Sequence, residues 1–189
     1  MNSGSFEISR KVVHLLSLLV PAVTFFSVQT AQVVLIAAVF FYAYAEWRKV
    51  RGDKFGPAGF IQKMQRGEEK KTWARAPLFL AIGVLAAITF FSWKGSFIGI
   101  YQVGFCDTVA AAAGRKWGRT RLPFMPRKTY VGTISFFLAA LPVMMMFLPP
   151  SKAIVLALVG AFLESLPFKD WDNLTIPIIV TFLADQFLV

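Results

Sequence analysis

The sequence predicts an all-α fold: a polytopic integral membrane bundle of about seven transmembrane helices, with the N-terminus cytoplasmic. Three observations carry that expectation. Of 189 residues 57% are hydrophobic and only 16% charged, with a mean hydropathy of +0.61, whereas soluble domains carry about 45–50% apolar and about 25% charged residues. Seven apolar stretches approach the length of about 20 residues that spans a bilayer. The charges, finally, divide unevenly between the loops that join them. A water-soluble domain and a disordered chain are both excluded.

The seven stretches are Val12–Val28, Ala31–Trp47, Ala76–Trp93, Ser96–Gly114, Tyr130–Leu148, Lys152–Leu166 and Asn173–Val189. None shows the two-residue alternation of a barrel strand, and an open strand cannot satisfy its backbone in lipid. Several are short, which implies tilt or a thinned bilayer. The first follows Arg10 and Lys11 as a signal peptide would, but six further apolar segments and a turn at Gln29-Thr30-Ala31 make it a transmembrane helix. Pro149-Pro150 marks the turn between the fifth and sixth helices. Pro21 and Pro142 fall inside helices as kinks. No repeat divides residues 1–189, which read as one membrane-embedded domain with cytoplasmic loops at about 48–75, 115–129 and 167–172. The second loop mixes Gly, Lys and Glu and suggests a short interfacial helix around Phe60–Gln65.

With seven crossings, eighteen of the twenty Lys and Arg residues fall on the side of the N-terminus, leaving only Lys94 and Lys152 opposite. That asymmetry is the signature of a cytoplasmic face. The net charge of +10 is then topology and attraction to anionic lipids, and no nucleic-acid partner is needed. A single Cys excludes an internal disulfide and a Cys-based zinc site. Cys106 reads as a small packing residue.

The acids gather on the basic face. Glu46 ends the second helix, Asp107 lies inside the fourth, Glu164 closes the sixth, and Asp170 and Asp172 follow in the sixth loop. Only Asp185 falls near the other face. An ionised carboxylate at membrane depth costs on the order of 2.5–3.5 kcal/mol, so such groups face a cavity, a partner or an ion. Carboxylates and lysines at one level suit magnesium and polyphosphate, since hard oxygens hold the metal and cations hold the phosphates. Helix-end ion pairs and caps are the plainer account, above all for Glu46 beside Arg48 and Lys49, and for Asp172 or Asn173 as an N-cap. Ala110, Ala111 and Gly114 share the helical face of Asp107. That bareness serves either close helix packing or access of a ligand to the carboxylate. Gly114 and Gly118 open into an Arg-rich loop that ends at Lys128-Thr129-Tyr130-Val131-Gly132, where helix-start amides suit phosphate. His14, the only histidine, follows Arg10 by one turn and reads more as an orienting or polar contact than as a catalytic base.

Together these blocks resemble the polyprenol kinase family of membrane lipid kinases, which includes dolichol, phytol and CTP-dependent diacylglycerol kinases and is distantly related to CDP-diacylglycerol synthases. The blocks are Glu7-x-x-Arg10-Lys11-x-x-His14, Glu46 with Arg48, Asp107-x-x-Ala110-x-x-x-Gly114-x-x-x-Gly118-Arg119, Lys128-Thr129-x-x-Gly132-Thr133, and Glu164-Ser165 with Asp170-x-Asp172-Asn173-Leu174-x-Ile176-Pro177. They cover nearly the whole chain in order. Val131 departs from the pattern, where the family usually has an acid, and the cytidylyltransferase signature is absent.

The resemblance implies transfer of the γ-phosphoryl group of CTP, with Mg2+, to an isoprenoid alcohol or diacylglycerol. It implies catalytic roles for Asp107, Lys128, Arg10 and Lys11. It implies nucleotide contacts from Gly114, Arg115, Gly118, Arg119, Lys128, Thr129 and Gly132. Magnesium would fall to Asp107, Glu164, Asp170 and Asp172, with Glu46, His14 and Asn173 in support. The partners implied are a membrane lipid substrate, the nucleotide and anionic lipids, with a homo-oligomer left open. The alternatives are a cytidylyltransferase forming a CDP-lipid and a small cation-coupled transporter, although no inverted repeat is present. The compact size suggests a prokaryotic cell membrane over an endoplasmic reticulum or plastid membrane.

Overall fold

Apolar runs interrupted by Ser, Thr and Pro fold into seven helices among the residues described in the computed structural model, which are 11–53, 73–123, 125–167 and 170–188 with Gly56 and Gly59. Helix α1 runs Lys11–Phe26, α2 Val28–Val50 and α3 Ala76–Phe90. Helix α4, Trp93–Trp117, carries a π-turn at Gln102–Cys106. A hairpin of β1, Arg121–Leu122, and β2, Met125–Thr129, leads into α5, Tyr130–Met145. Helix α6 is Pro150–Ser165. Helix α7 comprises Asp172–Thr175, a π-turn at Ile176–Val180 and Thr181–Leu188. Arg10 and the expected interfacial helix at Phe60–Gln65 lie outside the described residues.

Hydroxyl side chains set three of the helix starts. Ser27 Oγ accepts the Thr30 amide at 3.2 Å, Ser92 Oγ the Gly95 amide at 3.1 Å, and Thr129 Oγ1 the Gly132 amide at 3.1 Å. Each satisfies one of the amides that a helix leaves unpaired at its start. The turn expected at Gln29-Thr30-Ala31 is therefore the first turn of α2, with the break one cap earlier at Ser27. In α1, Pro21 has no amide to give Ser17 O. That carbonyl takes the Val20 amide at 3.0 Å instead, and the helix tightens at Ser17–Leu18.

The all-α expectation needs one correction, the antiparallel hairpin, which pairs Leu122 with Met125 and Arg121 with Thr129. Pro123 and Pro126 prevent the segment from continuing as helix, and Thr129 suits a pleated backbone. Hydropathy windows do not register so short an element.

Helix α4 is central. Its first half packs on α7, its second half on α5, while α5 packs on α6, α2 on α3, and α3 on the start of α7. Ile98, Ile100, Phe136, Met144, Leu156 and Ile176 are fully buried between them. At one end Asp185 of α7 accepts the Ser92 amide at 2.9 Å, and Lys152 donates to Phe187 O at 2.8 Å. The acidic cluster forms at the other end. The outer surface stays apolar, with Phe26, Phe40, Phe90 and Met146 each more than 70% exposed. Helices α2 and α4 are long and apolar enough to cross a membrane.

Glycine fixes how closely α3 approaches α7. A Cβ on Gly83 would lie 2.9 Å from Asn173 O and 3.2 Å from Leu174 Cα, both backbone atoms that cannot swing aside. Gly83→Ala is expected to cost about 1–3 kcal/mol by overpacking, read as a lower thermal midpoint in detergent. An unchanged midpoint would show that the helices do not meet there.

Candidate active site

Two elements, α1 and α4, bring a lysine and a histidine against Asp107. Lys11, the first residue of α1, places its Nζ 2.6 Å from Asp107 Oδ2 and 3.2 Å from Asp107 O. One turn on, His14 is buried, with Nδ1 3.0 Å from Val103 O and 3.3 Å from Asp107 Oδ2. A carbonyl can only accept, so Nδ1 carries the proton. The Asp107 carboxylate is 15% exposed. Pairs of this kind, charged and hydrogen-bonded, are shorter and roughly twice as strong as neutral ones.

The second group joins β2, α6 and α7. Lys128 Nζ stands 2.9 Å from Glu164 Oε1 and 3.0 Å from Asp172 Oδ2, and also donates to Glu164 O. The other oxygen of Asp172 accepts the Asn173 amide at 3.0 Å. Asp172 is the first residue of α7, whose N-cap, Trp171, makes no side-chain cap bond, so the capping expectation for Asp172 or Asn173 fails, while the Asp172 carboxylate ties the start of α7 to β2. Burial works against the Lys128 ammonium, but Asp172, Glu164 and Asp107 outweigh it and hold its pKa above the ordinary lysine value. Lys128 therefore remains charged at physiological pH. Its contribution to stability is complete below the ordinary lysine pKa and is lost only as pH rises through the raised one. Asp107 acts on Lys128 across the gap, so the two groups form one electrostatic unit.

Between them the small residues serve packing. A Cβ on Gly114 would come 2.8 Å from Thr129 Oγ1, one on Gly118 2.7 Å from Thr129 Cβ, and one on Gly132 3.0 Å from Ala110 O. Thr129 is buried. The face that follows Asp107 is thus where α4 meets the start of α5. Arg115 and Arg119 lie exposed just beyond.

Other expected site residues fall elsewhere or play a local part. Glu46 is fully buried on α2, where Lys49 Nζ reaches it at 2.6 Å and the Ala74 amide at 3.2 Å. It anchors the chain before α3, as the helix-end ion-pair account has it. Asp170 adopts a left-handed φ of 66°, and its carbonyl accepts the Asn173 amide at 3.3 Å. Asn173 is buried under α3. Sequence reasoning missed the π-turn before Asp107 and the Val103 carbonyl that it presents.

Among the described residues no three His, Cys, Asp or Glu side chains converge as a metal cage. Glu164 Oε2 is nevertheless buried without a hydrogen-bond partner, on a side chain that shares Lys128 with Asp172. Mg2+ commonly takes one or two carboxylates and fills its shell with phosphate and water. The pair therefore fits a magnesium arriving with polyphosphate better than a resident metal.

No family model and no solved structure matches the chain. It is 28% identical over 200 residues to phytol kinase 1, chloroplastic, of Arabidopsis thaliana, covering 91% of this chain and 64% of that protein. It is 28% identical to the chloroplastic farnesol kinase of the same plant, over 62% of this chain and 44% of the relative. The CTP-dependent diacylglycerol kinase 1 of Schizosaccharomyces pombe is 24% identical over 63% of this chain and 62% of its own length. The chain spans about two thirds or less of the length of these relatives. The phytol and farnesol kinases are chloroplastic proteins, which overturns the expectation of a prokaryotic cell membrane. Length and charge asymmetry carry orientation but no address. The five motif blocks and these relatives agree: the chain is similar to lipid kinases of the polyprenol kinase family.

Proposed function

We propose that the chain is a membrane lipid-alcohol kinase that transfers the γ-phosphoryl group of CTP to the hydroxyl of an isoprenoid alcohol. The observation that carries this reading is the convergence of Asp107 with Lys11, and of Glu164 and Asp172 with Lys128, from five elements at one end of an apolar bundle. The names of the phytol and farnesol kinases support an isoprenoid acceptor, and that of the diacylglycerol kinase supports CTP. The exposed apolar surface supports seven membrane-spanning helices with the basic end toward the nucleotide. The chloroplastic relatives support a plastid membrane.

Phosphoryl transfer depends on positioning and on neutralising charge at the transferring group. In this reading Lys11 and Lys128, with Arg10 and the exposed Arg115 and Arg119, draw the polyphosphate to the acidic end. Lys128 exchanges a carboxylate for a phosphate oxygen as the nucleotide arrives. Glu164 and Asp172 would hold the magnesium that accompanies CTP, which would supply positive charge to offset that of the transferring phosphates. Asp107 receives the proton of the lipid hydroxyl, which comes sideways from the bilayer. Gly114, Gly118, Thr129 and Gly132 serve by setting the packing that aims Asp107 and Lys128.

A transfer assay on the purified protein tests the proposal, with γ-labelled CTP or ATP, magnesium, and phytol, farnesol, geranylgeraniol, polyprenol and diacylglycerol. Label is expected in an isoprenoid alcohol from CTP. Pyrophosphate release with a CDP-lipid would replace the kinase with a cytidylyltransferase. Asp107→Asn is expected to lower turnover about 10²–10⁴-fold, the range for positioned acid–base groups; it also leaves the Lys11 ammonium without its carboxylate and lowers the thermal midpoint, so turnover is read on the folded protein. Full turnover would remove Asp107 from the chemistry. Lys128→Met leaves two carboxylates without their cation and is expected to cost about 3 kcal/mol of stability and to raise the KM for CTP. An unchanged KM in the folded variant would confine Lys128 to structure.

A further inference from the structure

In α4 the Asp107 amide donates to Gln102 O, five residues back. In an α-helix it would have taken Val103 O. The π-turn therefore releases the Val103 carbonyl from the helix ladder at a buried position, where an unpaired carbonyl costs free energy. His14 Nδ1–H meets that carbonyl at 3.0 Å and reaches Asp107 Oδ2 at 3.3 Å. Lys11, on the same face of α1, holds Asp107 O and Oδ2 at the other end of the turn. Gly104 lets the helices come this close, since a Cβ there would lie 2.9 Å from both His14 O and Ser17 Oγ. In turn Ser17 Oγ donates to His14 O at 2.6 Å, fixing the backbone that carries the imidazole.

We infer that His14 is a positioning residue: through the Val103 carbonyl released by the π-turn, its Nδ1–H sets the place and orientation of the Asp107 carboxylate. The inference rests on the reading of Asp107 as the group that receives the hydroxyl proton. It assigns the imidazole no proton transfer of its own. Helix α1 thereby acts as a template on which a locally unwound segment of α4 is held, consistent with the frequent use of π-turns at functional sites.

Stereochemistry supplies the test. The amide of Asn places a donor where histidine carries Nδ1, whereas that of Gln places it nearer Nε2. The transfer assay is run on the full chain with His14→Asn, His14→Gln and His14→Leu, together with thermal midpoints. His14→Asn is expected to keep kcat within about threefold of wild type, while the other two lose about 10–100-fold, the usual range for orienting partners of a reactive group. The KM for CTP should stay constant in all three, because none of them removes a group assigned to the nucleotide. Should the Leu variant fail to fold, the Asn and Gln pair decides alone. Equal loss in Asn and Gln, or full kcat in Gln or Leu, would overturn the inference. Asp107→Asn in the same assay separates the two levels: if it retains turnover, the reading of Asp107 fails, whatever His14 does.

Discussion

Asp107, Glu164 and Asp172 are each met by a lysine from a different part of the chain, and that pairing governs the arrangement of the rest. Lys11 reaches Asp107 across 96 positions, and Lys128 reaches Glu164 and Asp172 across 36 and 44. A buried acid left without its cation would cost several kcal/mol, so the starts of α1 and α7, the end of α6 and strand β2 are drawn to one level beside the second half of α4. Such pairs add little net stability over well-packed apolar side chains. Under the proposed function their place here follows from what the cluster would receive: a polyphosphate would bring oxygens for the lysines, and its magnesium would bring charge for the acids.

The backbone serves the same end. Two π-turns lie close to the site, one ending at the residue before Asp107, the other beginning four positions after Asp172. Pro177, with no amide, makes the second unsurprising. The first is sustained by His14 and by the fully buried Gln102, whose amide donates to Leu156 O at 3.3 Å. Glycines at 83, 104, 114 and 132 let neighbouring backbones approach without a Cβ between them. The site is thus framed by helix contacts that are close where the acids stand.

Much of this was legible in the sequence because hydrophobic length and charge sidedness are strong local signals. All seven apolar stretches became helices, with ends displaced by a few residues where Ser27, Ser92 and Pro150 set the boundaries. The gathering of Asp107, Glu164 and Asp172 at one end followed from helix alternation alone. Their partners were not legible. Asp107 has no basic residue within a turn, so nothing local announced Lys11, whereas Glu46 had Lys49 three positions away and proved to be the locally paired acid. Whether the bare face of Ala110 and Gly114 served packing or access was not legible, because a sequence does not reveal what packs on a helix, and Thr129 and Gly132 fill it. The hairpin and the π-turns escaped because each depends on a few tertiary hydrogen bonds and leaves no period in the sequence. The membrane of residence escaped for another reason, since no physical property of these helices encodes it.

The most direct test of the account is whether the carboxylate–lysine cluster itself binds the nucleotide. We would measure the thermal midpoint of the purified protein with and without magnesium and CTP, for the wild type and for Asp172→Asn. Saturation at 100 times Kd stabilises a folded protein by about 2.7 kcal/mol, so the wild-type midpoint should rise by several degrees only when both are present, and Asp172→Asn should abolish most of that rise. An equal rise in the variant, or none in a folded wild type, would contradict the account.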